Sequence, residues 1–108
     1  MTLAELNTTL KAITGFNKKV AYNAFPVGKA PDLPFITFLQ TGADNFAADG
    51  IVYHGNENVA IELYTNDKDV TTESSVETAL TNAGLYFTKE EQYLNDERCY
   101  LVVYGVVL

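Results

Sequence analysis

Tryptophan is missing from this sequence, and cysteine, histidine and methionine occur once each. A lone thiol, Cys99, excludes an internal disulfide and fits a reducing compartment. It opens a final apolar run outside any Cys-x-x-Cys pair, with Arg98 as its one cationic neighbour in sequence, and reads as a small buried hydrophobe. His54 stands between Tyr53 and Gly55 with no second histidine to share a metal, and reads as an exposed turn residue. Basic residues are also scarce. Seven Lys and Arg against fourteen Asp and Glu leave a formal charge of -7, and the cations are scattered apart from Lys18 and Lys19. Grip on phosphate backbones needs clustered cations, so specific nucleic-acid binding is not expected. An acidic surface suits DNA that must slide past without sticking. No apolar run approaches the length of about 20 residues that spans a bilayer. The start, Met1-Thr2-Leu3-Ala4-Glu5-Leu6, lacks the basic and apolar regions of a secretory signal. Neither membrane attachment nor secretion is expected.

Chemistry-bearing patterns are equally thin. No glycine pattern matches a phosphate-binding loop, and no serine sits in a nucleophile elbow. Asp67, Asp69 and Glu73 gather near a helix start, where they could hold a cation or cap the helix. Asp67-Lys68-Asp69 lacks the glycine and the bidentate glutamate spacing of a calcium loop, which favours capping. No catalytic residue, cofactor or metal is therefore assigned, and the chain is not expected to be an enzyme.

What is present describes a folding domain. The chain has 108 residues, 47% of them hydrophobic and 19% charged, enough apolar material for one core and too little length for two. Thr2 and Glu5 form a capping-box pattern before Leu3, Leu6, Leu10 and Ile13, which predicts an amphipathic helix over 3–14. Val20 to Phe25 has strand composition ending at Pro26, and Gly28, Pro31 and Pro34 punctuate an extended loop. Residues 34–41 are apolar on both faces, as in a central strand. The stretch 42–50 is rich in small and turn residues and reads as a mobile loop carrying Phe46. A short strand over 51–53 and a turn over 55–58 precede an alternating strand over 59–65. A second helix is predicted over 69–83, with Val70, Val76, Ala79, Leu80 and Ala83 as its apolar stripe and Gly84 as its stop. An edge strand and turn then span 85–97, and Cys99 to Leu108 is the most β-prone run, suited to the sheet interior. The expected fold is a single α+β domain over 1–108: a mainly antiparallel sheet of about four to six strands with two helices on one face, in the order α-β-β-(β)-β-α-β-β.

Function is then expected at surfaces. The long loops exceed the usual connection of about four to six residues. They present Phe25, Val27 and Leu33 in one place and Asp44, Phe46 and Asp49 in another, and Tyr86 and Tyr93 mark the sheet edge near 86–97. These eight residues are the candidate interface.

From residue 31 onward the chain resembles a family of small virion proteins of tailed siphophages and prophages of Gram-positive bacteria. The resemblance rests on Pro31-x-x-Pro34, Asp44-Asn45-Phe46-x-Ala48-Asp49, Ile61-Glu62-Leu63-Tyr64-Thr65 with Lys68-Asp69, the spacing to Glu73, Glu77 and Leu80, and the final Tyr100-x-Val102-x-Tyr104 strand. Members of the family look like tail terminators, also called tail-completion proteins. The resemblance implies a ring, typically hexameric, that caps the tail tube and offers the head a docking surface. Its partners would be further copies of the chain, the major tail tube protein and a neck or connector protein. Its place would be the tail or neck of the virion, after assembly in the host cytoplasm. A head-completion or connector-stopper protein of the neck, and a small-ligand-binding regulatory domain, are the alternatives. The ending Val106-Val107-Leu108 is apolar where an exposed tail would be polar, which assigns it to the sheet or to a subunit contact.

Overall fold

The computed structural model describes residues 1–48 and 51–108, and side chains outside 44–56. Helix α1 (Leu3–Lys11) starts where local chemistry dictates. The Thr2 hydroxyl accepts from the Glu5 backbone N–H at 3.1 Å, and the Glu5 carboxylate accepts from the Thr2 backbone N–H at 3.0 Å. It ends at Lys11, short of the expected residue 14, because the chain turns at Ala12 and passes through Gly15 at φ 90°. Ile13 and Phe16 are buried from that turn. Strand β1 (Val20–Tyr22) also stops early, at Asn23, whose φ of 65° is left-handed and cannot continue an extended strand to Phe25.

The largest departure from expectation follows. β2 (Phe35–Ala48) and β3 (Ile51–Thr65) form one long antiparallel hairpin, paired from Phe35–Tyr64 out to Ala48–Ile51. The expected loop over 42–50 is strand as far as Ala48, and the expected turn over 55–58 is continuous strand. His54 therefore has strand backbone, not a turn, and its side chain lies outside the described residues.

Helix α2 (Val70–Asn82) is capped by Asp69, whose carboxylate accepts from Thr72 N–H at 3.0 Å and from its hydroxyl at 2.6 Å. It ends as expected: Gly84 at φ 77° donates to Thr81 O at 3.0 Å and Leu85 to Leu80 O at 2.9 Å, which satisfies the last carbonyls. Val70 is not part of the buried stripe, since it is 66% exposed. β4 (Phe87–Leu94) and β5 (Cys99–Val107) complete a five-stranded sheet of order β1-β2-β3-β5-β4, with β1 parallel to β2 and every other pair antiparallel. The α+β architecture is the expected one, with a single strand where a separate optional one was allowed.

Register explains the layering. Ile36, Leu63 and Val102 lie opposite one another across β2, β3 and β5, as do Phe38, Ile61 and Tyr104, and all six are buried. Leu6 and Leu10 of α1 and Val76 and Leu80 of α2 pack into the same cluster, so both helices cover one face. Each such side chain contributes about 1.5–3 kcal/mol by leaving water. On the other face Phe35, Leu39, Tyr64 and Val103 are half-buried. Phe25, from the crossover after β1, meets Phe35 edge-on at 5.3 Å, and Phe35 lies 5.0 Å from Tyr64. Val106 is buried and the Leu108 N–H donates to Glu57 O at 2.9 Å, which places the apolar ending in the sheet.

Candidate interaction surfaces

The first conspicuous grouping is a carboxylate network between α2 and the sheet. Glu73 is almost fully buried, with Lys68 Nζ 2.8 Å from both of its oxygens and Lys89 Nζ 2.8 Å from one. Lys68 also pairs with Glu91, and Lys89 with Glu77 at 2.8 Å. The Tyr104 hydroxyl donates to Glu77 at 2.8 Å, its ring meets Phe87 edge-on at 5.4 Å, and the Lys89 ammonium lies 5.9 Å from the Tyr104 centroid. Burial alone would raise the Glu73 and Glu77 carboxyls, but hydrogen bonds from Lys68 and Lys89 to Glu73, and from Lys89 and Tyr104 to Glu77, hold both below the usual range. The same hydrogen bonds push Lys68 and Lys89 up, and burial pushes the Tyr104 hydroxyl and the Cys99 thiol up. The network ties helix to strand, and each of its three carboxylates has a lysine partner. Of the three acids first considered for a cation, Asp69 caps α2 and Glu73 is paired with lysine. Among the described residues no cluster of His, Cys, Asp and Glu could hold a metal ion.

These shifts set the pH dependence of stability. Carboxyls with depressed pKa contribute stability that is present above their unfolded value, about 4.3 for Glu, and lost as pH falls through the folded value. Lysines, tyrosine and thiol with raised pKa contribute stability that is present below their unfolded values and lost as pH rises past about 8.5 to 10.4. Urea midpoints are expected to stay flat between roughly pH 5.5 and 8.5 and to fall on both sides. A midpoint that rises on acidification from pH 5 to 3 would contradict the network.

The interface candidates whose side chains are described do not form one patch. Val27 and Tyr86 are fully open to solvent at 103% and 96% exposure, and Tyr93 is 47% exposed against Tyr100 at 5.0 Å. Phe25 and Leu33 are half-buried, Phe25 being held by Phe35. Asp44 and Phe46 have β2 backbone, with side chains outside the described residues, and Asp49 lies outside them altogether. Strand order separates the exposed ones: Val27 follows β1 at one end of the sheet, and Tyr86 and Tyr93 flank or lie on β4 at the other. Tyr22, 49% exposed on β1, is a further exposed aromatic outside the eight candidates.

A feature missed in the sequence is the distal hairpin. β1 pairs β2 only as far as Phe38, and β5 pairs β3 only from Asn58, so among the described residues 42–48 and 51–56 continue as a two-stranded ribbon without a third strand, Glu57 still accepting from the Leu108 N–H. Its register shifts between Gln40 and Gly42 and again between Asp44 and Phe46. The ribbon makes the molecule long, with extents of 51 × 28 × 23 Å and a radius of gyration of 15.1 Å. A compact chain of this length has about 13 Å. The accessible surface, 6896 Å², exceeds by roughly 900 Å² that of a compact monomer of this mass.

An open groove of about 810 Å³ runs between α1 and α2, lined by residues such as Thr8, Thr9, Ile13, Ser75 and Thr78, with no charged side chain. Thr8 and Ser75 donate their hydroxyls to the helix carbonyls of Ala4 and Thr71, each at 3.2 Å, so these groups face their own backbone. The groove lies between the two helices and not between helix and sheet. No helix among the described residues is long and apolar enough to cross a membrane. No model of a known protein family matches the chain, and no curated protein proves similar to it.

Proposed function

We propose that this chain is a phage virion structural protein, a tail terminator whose copies form a ring that caps the tail tube and receives the head. The observation that carries this reading is the bare ribbon. A two-stranded hairpin is at best marginally stable in water, so one projecting beyond its own sheet finds its stabilising contacts on another molecule. The roughly 900 Å² of surface beyond that of a compact monomer is comparable to the roughly 800 Å² per partner of a standard interface. The resemblance over residues 31–108 supplies the kind of partner: neighbouring copies, the tube protein and the connector. An acidic outer surface, with formal charge -7, suits a channel through which DNA passes.

Particles assembled without this protein are expected to carry tubes of excessive and uneven length without heads, as seen by negative-stain electron microscopy. Cross-linking in complete particles is expected to join it to the tube protein. Normal tails in its absence would end the terminator reading. Cross-links confined to the portal side would move the protein to head completion.

A further inference from the structure

The charges of this chain are distributed along the strand order. Between Leu6 and Pro31 the sequence holds four lysines, Lys11, Lys18, Lys19 and Lys29, and no acid. Lys11 closes α1, which packs on β1; Lys18 and Lys19 lead into β1, and Lys29 lies in the crossover that leaves it. Among the described residues none of the four makes an ion pair, whereas Lys68 and Lys89 are consumed by the internal network. At the opposite end of the sheet, Glu90, Asp96 and Glu97 lie exposed on β4 and its turn; Lys89 and Glu91 of the same strand belong to the internal network, and Arg98 closes the turn. β1 and β4 are the two outermost strands, each paired on one side only. Each end also presents large exposed apolar groups: Tyr22 and Val27 beside the lysines, Tyr86 and Tyr93 beside the carboxylates.

We infer that copies of this chain associate head to tail, the lysine-bearing β1 edge of one docking on the carboxylate-bearing β4 edge of the next. The occupant of each edge is a second copy, because each edge is the electrostatic complement of the other and like edges repel. Tyrosines that combine an apolar ring with a polar tip supply the desolvated centre, and the charges form its rim and set its polarity. A contact between two different faces is heterologous, so it leads to a closed ring when the rotation between copies closes and to a filament when it does not. The inference rests on the reading above in that copies of the chain meet one another, and it adds which surfaces meet.

The test uses two variants of the whole chain, Lys18→Glu with Lys29→Glu and Glu90→Lys with Glu97→Lys. All four positions are exposed and lie outside the internal network. In sedimentation velocity at low salt the unmodified chain is expected to self-associate, and more weakly in high salt because the edge charges are screened. Each variant alone is expected to associate at least tenfold more weakly, with unchanged circular dichroism. An equimolar mixture of the two, and the variant carrying all four changes, are expected to recover association because opposite charges meet again. Variants that associate as well as the unmodified chain would overturn the edge assignment and leave ring formation standing. An unmodified chain that stays monomeric at low salt up to millimolar concentration would overturn the proposal, while tail length in particles tests the terminator reading separately.

Discussion

Replacing Tyr104 by alanine is expected to lower stability by about 3–5 kcal/mol, a large share of the roughly 5–15 kcal/mol of a small domain. Tyr104 is fully buried at the junction of α2, β4 and β5, and truncation removes three things at once. It opens a cavity between Phe87 and the helices, it removes the ring beneath the Lys89 ammonium, and it takes the hydroxyl from Glu77. Tyr104→Phe separates these contributions. The ring contacts survive and only the hydroxyl is lost, while Glu77 keeps Lys89 as a partner. That variant is expected to lose about 1.5 kcal/mol, the value of a hydrogen bond to a charged group. In thermal melts alanine should lower Tm by roughly 15–25 °C and phenylalanine by well under half of that. Equal losses would mean that the carboxylate network, and not packing, holds this junction.

Removal of the ribbon is expected to have the opposite profile, with little effect on the fold and a large one on assembly. Ala43 and Glu57 are direct partners, so an Asn-Gly turn between them can replace residues 44–56 in register. Glu57 must stay, because its carbonyl receives the Leu108 N–H. Every described residue of the buried cluster lies outside the excised segment. Stability should change by about 1 kcal/mol or less, as a shortened loop changes closure entropy only slowly. The radius of gyration in solution should fall from 15.1 Å toward about 12.5 Å. Incorporation into particles should fall at least tenfold, and tails should become uneven in length. A shortened protein that supports normal tails would remove the ribbon from the function.

The helices were legible because their signals are local. Thr2 with Glu5, Asp69 at the start of α2, and Gly84 with Leu85 at its end each act within a few residues, and each is seen making the expected bonds. The ribbon was not legible because Gly42, Ala43, Asp44 and Asn45 carry turn composition, and pairing with the stretch that follows them, which composition does not record, makes them strand. The lysine–glutamate network was hidden for a related reason: Lys68 precedes α2 and Lys89 lies on β4. One signal could have revealed it. Glu73 stands three residues before Val76 and seven before Leu80, on the buried stripe of α2, and an acid there requires a cationic partner. Of the surface candidates, Val27, Tyr86 and Tyr93 kept their exposure, and Phe25 is held by Phe35 because the crossover folds back on the sheet.

The bare ribbon also bears on how the free subunit keeps from clumping. Its outer backbone groups form a template on which another extended chain could add, the geometry from which fibres grow. What opposes such stacking is the composition of the tip. Glycines and alanines pair poorly as strands, and the acidic Asp44 in this stretch of sequence gives an identical chain a like charge to meet. The turn-like residues that conceal this strand from a reader of the sequence are the same ones that weaken its pairing with another extended chain.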